Sequence, residues 1–198
     1  MRIKLPVFIA LFAFALAALP AEAKSKKKKK KTKTTQYQKP VKMLIGAIRY
    51  KKDDLALKML ALDAMTEGLN KSHWAKMSDA EKKAFKKYLG ILLKKLSFAK
   101  ARDLFKHLDA ILYDEPEVKG DQAKIKSTIV VHRNYKKTEM VITWNLIKKG
   151  KKWLVRDTIM VGDSTMEGLR EDQVDPLVKE GGIKALLKAM EDKIKSLK

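Results

Sequence analysis

Met140-Val141-Ile142-Thr143-Trp144-Asn145-Leu146-Ile147 runs into Lys148-Lys149-Gly150-Lys151-Lys152, and then into Trp153-Leu154-Val155-Arg156-Asp157-Thr158-Ile159-Met160-Val161. The first eight residues alternate with a period of two. Met140, Ile142, Trp144 and Leu146 make one wholly apolar face, with Val141, Thr143, Asn145 and Ile147 opposite, which is the signature of a β-strand. The lysine-flanked Gly150 predicts a hairpin turn and residues 153–161 a return strand. Upstream, Ile125, Ser127, Ile129 and Val131 alternate with Lys124, Lys126, Thr128 and Val130 as a third strand, and a weaker fourth signal lies near Ile111–Asp114.

On both sides of this block the period becomes 3.6. Val41, Leu44, Ile45 and Ile48 share one helical face, and Leu55, Met59, Leu62, Met65 and Leu69 a second. Ser78-x-x-Glu81 is a capping box opening a helix with the stripe Phe85, Tyr88, Leu89, Leu92, Leu93 and Leu96. Phe98, Ala101, Leu104, Phe105 and Leu108 form the next. After the sheet, Ser164-x-x-Glu167 opens another helix, Gly181-Gly182 stops it, and Ile183, Leu186, Leu187, Met190, Ile194 and Leu197 belong to the last. Helices, then an antiparallel sheet of about four strands, then helices predict an α+β fold without internal repeats. The apolar sheet face admits two readings: an ordinary filled core, or one wall of a dry pocket between sheet and helices.

The chain has 198 residues, 45 basic against 23 acidic, and no cysteine. That length suits one domain with appendages. The missing cysteines remove disulfides, thiolate catalysis and zinc-thiolate sites. Arg2 and Lys4 precede the uncharged run Leu5–Leu19, then Pro20 and Ala21-Glu22-Ala23. This is the layout of a signal peptide over residues 1–23, cleaved after Ala23. The run is short for a membrane span, so the mature protein is expected outside the cytoplasm, where a nucleic-acid role has little substrate. Residues 24–39 hold nine lysines and no acid, which predicts a disordered polybasic linker. It reads either as a tether to an anionic membrane surface through Lys24–Lys39 or as a solvated spacer. The folded domain is expected over residues 40–198.

No catalytic set emerges. Gly162-Asp163-Ser164 after an apolar strand has the form of a GDS-type esterase block, but no histidine follows His132 to take the serine proton. Ser164 as a helix cap explains the same residue. His73, His107 and His132 lack metal-ligand spacing, and there is no glycine-rich phosphate loop. Neither an enzyme, a cofactor nor a metal site is expected.

Trp153-Leu154-Val155-Arg156-Asp157, then Val161-Gly162-Asp163-Ser164, Arg170, and Lys179-Glu180-Gly181-Gly182-Ile183-Lys184-Ala185-Leu186 together resemble the C-terminal half of the MlaC (toluene-tolerance) family. The stretch from Trp74 through Ser78 and Glu81 to Phe85 is similar to that family's helix opening. Asp163, Gln173, Val174 and the segment Leu96–Phe98 depart from the family pattern. The resemblance implies a periplasmic phospholipid carrier, auxiliary to an ABC-type system that maintains outer-membrane lipid asymmetry. Its partners would be an inner-membrane ABC transporter with an MCE-type component and an outer-membrane lipoprotein complex. The bound phospholipid would be cargo. Lipid-binding walls are then expected from Ile129, Val131, Met140, Ile142, Trp144 and Leu146 of the sheet, and from Phe85, Leu89, Leu92, Leu93 and Leu96 of the helix. Asp157, placed on a strand face with Val155 and Ile159, is expected to pair structurally with Arg170. Trp144→Asp should then abolish lipid retention and Lys149→Glu should not. A carrier of another apolar ligand, such as a hopanoid-type lipid, and a non-carrier polybasic envelope-binding protein are the alternatives.

Overall fold

The computed structural model describes residues 35–197. The expected signal peptide and residues 24–34 of the expected linker lie outside them. The rest of that linker belongs to the fold. The Thr35 N–H donates to Gln38 Oε1 (3.1 Å) and the Gln38 N–H to Thr35 Oγ1 (3.3 Å), so helix α1 (Gln38–Arg49) begins ahead of the expected boundary at Pro40. The Tyr37 ring meets Trp153 edge-on with centroids 5.0 Å apart.

The remaining strands and helices follow the expected order, with breaks that periodicity did not reveal. The predicted single helix from Leu55 to Leu69 is two, α2 (Asp53–Lys58) and α3 (Leu62–Leu69). Between them Leu60 bridges Val155 in parallel. The Ala61 N–H donates to Val155 O (2.8 Å) and the Val155 N–H to Met59 O (2.9 Å). The cause is an edge: these polar groups of Val155 would otherwise lie buried without partners.

Helix α4 (Asp79–Leu92) carries the reciprocal cap. Glu81 Oε2 accepts from the Ser78 N–H and hydroxyl, both at 2.8 Å, and the Glu81 N–H donates back to Ser78 Oγ at 3.3 Å. Those bonds, the backbone one foremost, hold the Glu81 carboxyl below its ordinary range. A carboxyl lowered in the folded state stabilises above the unfolded value and loses that contribution as pH falls through the folded one. Glu81→Gln is therefore expected to lower the urea midpoint at neutral pH, with the difference fading on acidification; a pH-independent difference would remove charge from the account. A π-helical turn (Leu93–Phe98) joins α4 to α5 (Ala99–Phe105). Arg102 ties this run to the N-terminal helices, donating to Ile48 O (3.0 Å) and to Asp53 (2.5 Å).

Leu108, expected as the end of a helical stripe, starts strand β1 (Leu108–Tyr113). Strands β2 (Glu117–Lys119), β3 (Gln122–Arg133), β4 (Lys136–Lys149), β5 (Lys152–Met160) and β6 (Asp163–Ser164) complete one antiparallel sheet in the order β1-β3-β4-β5-β6, with β2 also paired to β3. The sheet has six strands rather than about four because β2 and β6 are too short to show a period. Helix α6 (Thr165–Leu169), a π-helical turn (Arg170–Val174) and α7 (Asp175–Lys195) close the chain. Helix α7 breaks where expected. Gly182 has φ 70°, and a Cβ on Gly181 would lie 2.7 Å from that of Ala185, so both positions require glycine.

The inner sheet face is filled. Ile125, Ile129, Val131, Ile142, Trp144, Leu146 and Val155 are buried in one cluster with Val41, Leu44, Ile45 and Ile48 of α1, and with Phe85, Leu89, Leu92, Leu93, Phe98 and Phe105. Trp144 shares a residual void of about 10 Å³ with Leu44, Ile45, Ile48, Phe98, Ala101 and Phe105, so its helical neighbours are α1 and α5. Helix α4 packs on α3 and α7.

Candidate ligand groove

Strand β5 holds an irregularity on which the site depends. Val155 pairs with Leu146, but Asp157 pairs with Asn145, so Arg156 is an extra residue in a β-bulge. Cross-strand partners share a face. The bulge therefore leaves Val155 inside with Leu146, and moves Asp157 to the face of Asn145, away from Val155. Strict alternation had placed Asp157 and Val155 together.

Asp157 is 9% exposed and fully engaged. Its Oδ1 accepts from the N–H groups of Thr158 (2.7 Å) and Met166 (3.1 Å), and its Oδ2 from the Ser164 hydroxyl (2.8 Å) and Asn145 Nδ2 (3.4 Å). Ser164 Oγ in turn accepts the Glu167 N–H at 3.0 Å, and Thr158 and Thr165 join their hydroxyls at 3.0 Å. Ser164 is the helix cap that the sequence suggested, its proton held by Asp157. The two residues fasten the start of α6 to β5, satisfying helical N–H groups that lack intrahelical partners.

Arg170 does not pair with Asp157. Its guanidinium reaches Glu171 (2.7 Å), Glu167 (3.3 Å) and Asp175 (3.5 Å). The reason is local: the π-helical turn after α6 gathers three acids around Arg170, and the bulged strand has already filled Asp157 with donors.

Between α3, α6 and the sheet lies an open groove of about 510 Å³. Its apolar lining is Ala64 and Met65 of α3, Ala123, Leu146 and Met166, and its helical wall includes Gly68, beside which an added Cβ would meet nothing within 4 Å. A further void of about 10 Å³ lies under Leu60, Met65, Val155, Thr165 and Met166, sharing Met65 and Met166 with the groove. Polar lining comes from Lys71, Glu117, Lys119, Gln122, Lys124, Asn145, Arg156, Asp157, Ser164, Glu167 and Arg170.

The expected wall residues lie mostly elsewhere. Leu146 lines the groove. Ile129, Val131, Ile142 and Trp144, with Phe85, Leu89, Leu92 and Leu93, belong to one buried cluster, and Met140 and Leu96 pack partly buried against it. None of these residues lines the groove. Sequence reasoning missed Met65, Gly68, Arg156 and Met166. One signal for the bulge was present: after Trp153 and Val155, a carboxylate at the next inward position breaks the alternation.

The sequence matches the family model described as "MlaC protein" over residues 21–192. No curated protein matches the chain. Among solved structures, the fold is similar to a phospholipid-binding protein from Ralstonia solanacearum solved in complex with a phospholipid, with 15% sequence identity and a TM-score of 0.66 over 83% of this chain and 97% of that one. A protein of unknown function from Mycobacterium tuberculosis aligns with 12% identity over 82% and 88% of the two chains, at a TM-score of 0.36, from which no shared fold follows. With the family model spanning the sheet, the groove and all seven helices down to the last turn, the chain belongs to the MlaC family.

Proposed function

We propose that the protein is a phospholipid-binding carrier of the periplasm and not an enzyme. The observation that carries this reading is the groove at the sheet–helix boundary, lined by both apolar and charged side chains. Its volume lies within the range of small-molecule sites, roughly 300–1,000 Å³. Each methylene removed from water is worth about 0.8 kcal/mol, so acyl chains require a dry lining. Met65 and Met166 stand between the groove and the adjoining void, and methionine repacks readily. Acyl chains would enter past these two side chains towards Leu146 and Ala123. Family membership supports the reading, as does the phospholipid held by the Ralstonia solanacearum protein.

In this reading residues 1–23 direct export and the carrier delivers lipid between an outer-membrane lipoprotein complex and an inner-membrane ABC transporter with an MCE-type component. No helix among the described residues is long and apolar enough to cross a membrane.

Native mass spectrometry of the exported chain, with lipid extraction, tests the proposal. A near-stoichiometric increment extracting as phospholipid is expected; an increment from a hopanoid-type molecule would change the cargo, and a bare polypeptide after incubation with liposomes would favour a non-carrier envelope protein. Gly68→Trp should fill the groove and remove the increment, whereas Gly46→Trp, at an equally open glycine of α1, should keep it. Full lipid occupancy in folded Gly68→Trp would move the site elsewhere.

A further inference from the structure

The charges on the groove divide into engaged and free. Asp157 is saturated by four donors, and Glu167 is paired with Arg170. Lys71, Lys119, Lys124 and Arg156 line the same groove without a carboxylate partner among the described residues. They come from four segments: the turn after α3, β2, β3 and β5. The remaining acid on the lining, Glu117, stands opposite Lys124 in the β2–β3 register but makes no ion pair with it. Asp157 is held by neutral donors only, so the groove presents four cations outside ion pairs against two such carboxylates, Glu117 and Asp157.

Arg156 is the informative member. It is the extra residue of the β5 bulge, and bulges re-aim side chains. Without the bulge, position 156 would alternate with its neighbours along the strand; with it, a guanidinium stands on the groove lining beside Asp157. Guanidinium is suited to bidentate recognition of phosphate, and ammonium groups add point charge.

Resting on the phospholipid-carrier reading above, we infer that the groove selects lipids with a net-negative headgroup, a phosphodiester carrying no compensating amine. The phosphate sits among Arg156, Lys71 and Lys124, and the acyl chains leave it across Met65 and Met166. A zwitterionic headgroup brings its ammonium into a groove where cations outside ion pairs outnumber such carboxylates two to one, and like charges repel there.

The test loads purified, delipidated protein from vesicles of equal phosphatidylglycerol and phosphatidylethanolamine, re-isolates it, and quantifies the extracted cargo. Phosphatidylglycerol is expected to be enriched about fivefold or more, the size of one or two partly screened charge pairs. In Lys71→Glu/Arg156→Glu the cargo ratio should fall to that of the vesicles. Lys149→Glu/Lys152→Glu, on the β4–β5 turn outside the groove, should weaken attraction to the vesicle but leave the cargo ratio intact. A wild-type ratio equal to the vesicles, a ratio that survives in the Lys71/Arg156 variant, or one that collapses equally in the turn variant overturns the inference. No cargo of either kind would instead overturn the carrier reading. Titration with soluble glycerol phosphate separates the sources: tight binding without lipid enrichment makes the groove a free-phosphate site and also overturns the inference.

Discussion

Trp144→Ala is expected to cost about 3–5 kcal/mol of folding stability, the usual range for truncating a fully buried tryptophan. In a chain of this size that lowers the melting temperature by roughly 6–20 °C. Trp144 is 2% exposed, and its indole N–H donates to Ser127 Oγ at 2.8 Å, while the Ser127 hydroxyl donates to Ile142 O at 3.4 Å. The side chain thus supplies both volume and a partner for a buried hydroxyl. Trp144→Phe separates the two, keeping most of the ring and losing the donor, at about 1–2 kcal/mol. Because Trp144 does not line the groove, the folded fraction of Trp144→Ala should still load lipid. Complete loss of cargo from a folded Trp144→Ala protein would return the acyl site to the centre of the sheet face. A stability loss below about 1 kcal/mol would mean that the face is not closed.

Asp157→Ala should destabilise by about 2–4 kcal/mol, since it strips the acceptor from several donors at once and leaves the Met166 N–H and Ser164 hydroxyl without partners. Arg170→Ala should cost less than about 1 kcal/mol, because its three carboxylate partners are substantially solvated. The pair of changes distinguishes the structure from the pairing that the sequence suggested. With no contact between the two groups, urea denaturation of both single variants and the double should give additive losses. A coupling energy near 2 kcal/mol would restore an Asp157–Arg170 pair.

Much of the architecture is readable because single segments carry it. β3, β4 and β5 are long enough for alternation to repeat several times, Ser78 and Glu81 declare the start of α4 in four residues, and Gly181-Gly182 marks the break in α7. What is hidden depends on partners far along the chain. Residues 55–69 keep a helical stripe, yet Val155 draws Leu60 out of the helix. The six residues of β1 and the three of β2 pair with β3 through backbone groups that no side-chain pattern announces. The groove is hidden for the same reason. Lys71, Lys119, Lys124 and Arg156 stand among many exposed basic residues, and only the folded arrangement of α3, β2, β3 and the bulged β5 selects those four. Period alone marks the apolar faces but does not say which of them meet: α4 packs on α3 and α7, and Trp144 meets α1 and α5.

The bridge between Leu60 and Val155 has a consequence for how the molecule behaves in a crowd. An uncovered sheet margin invites other chains to add strands, the route to aggregation and domain exchange. Along β5 that margin is divided: Ile159 and Met160 pair with β6, and Val155 is closed by residues 59–61. At the opposite margin, β1 and β2 are separated by Asp114-Glu115-Pro116, where proline cannot donate a ladder bond. Both margins are thereby broken into short stretches, which make a poor template for an added strand.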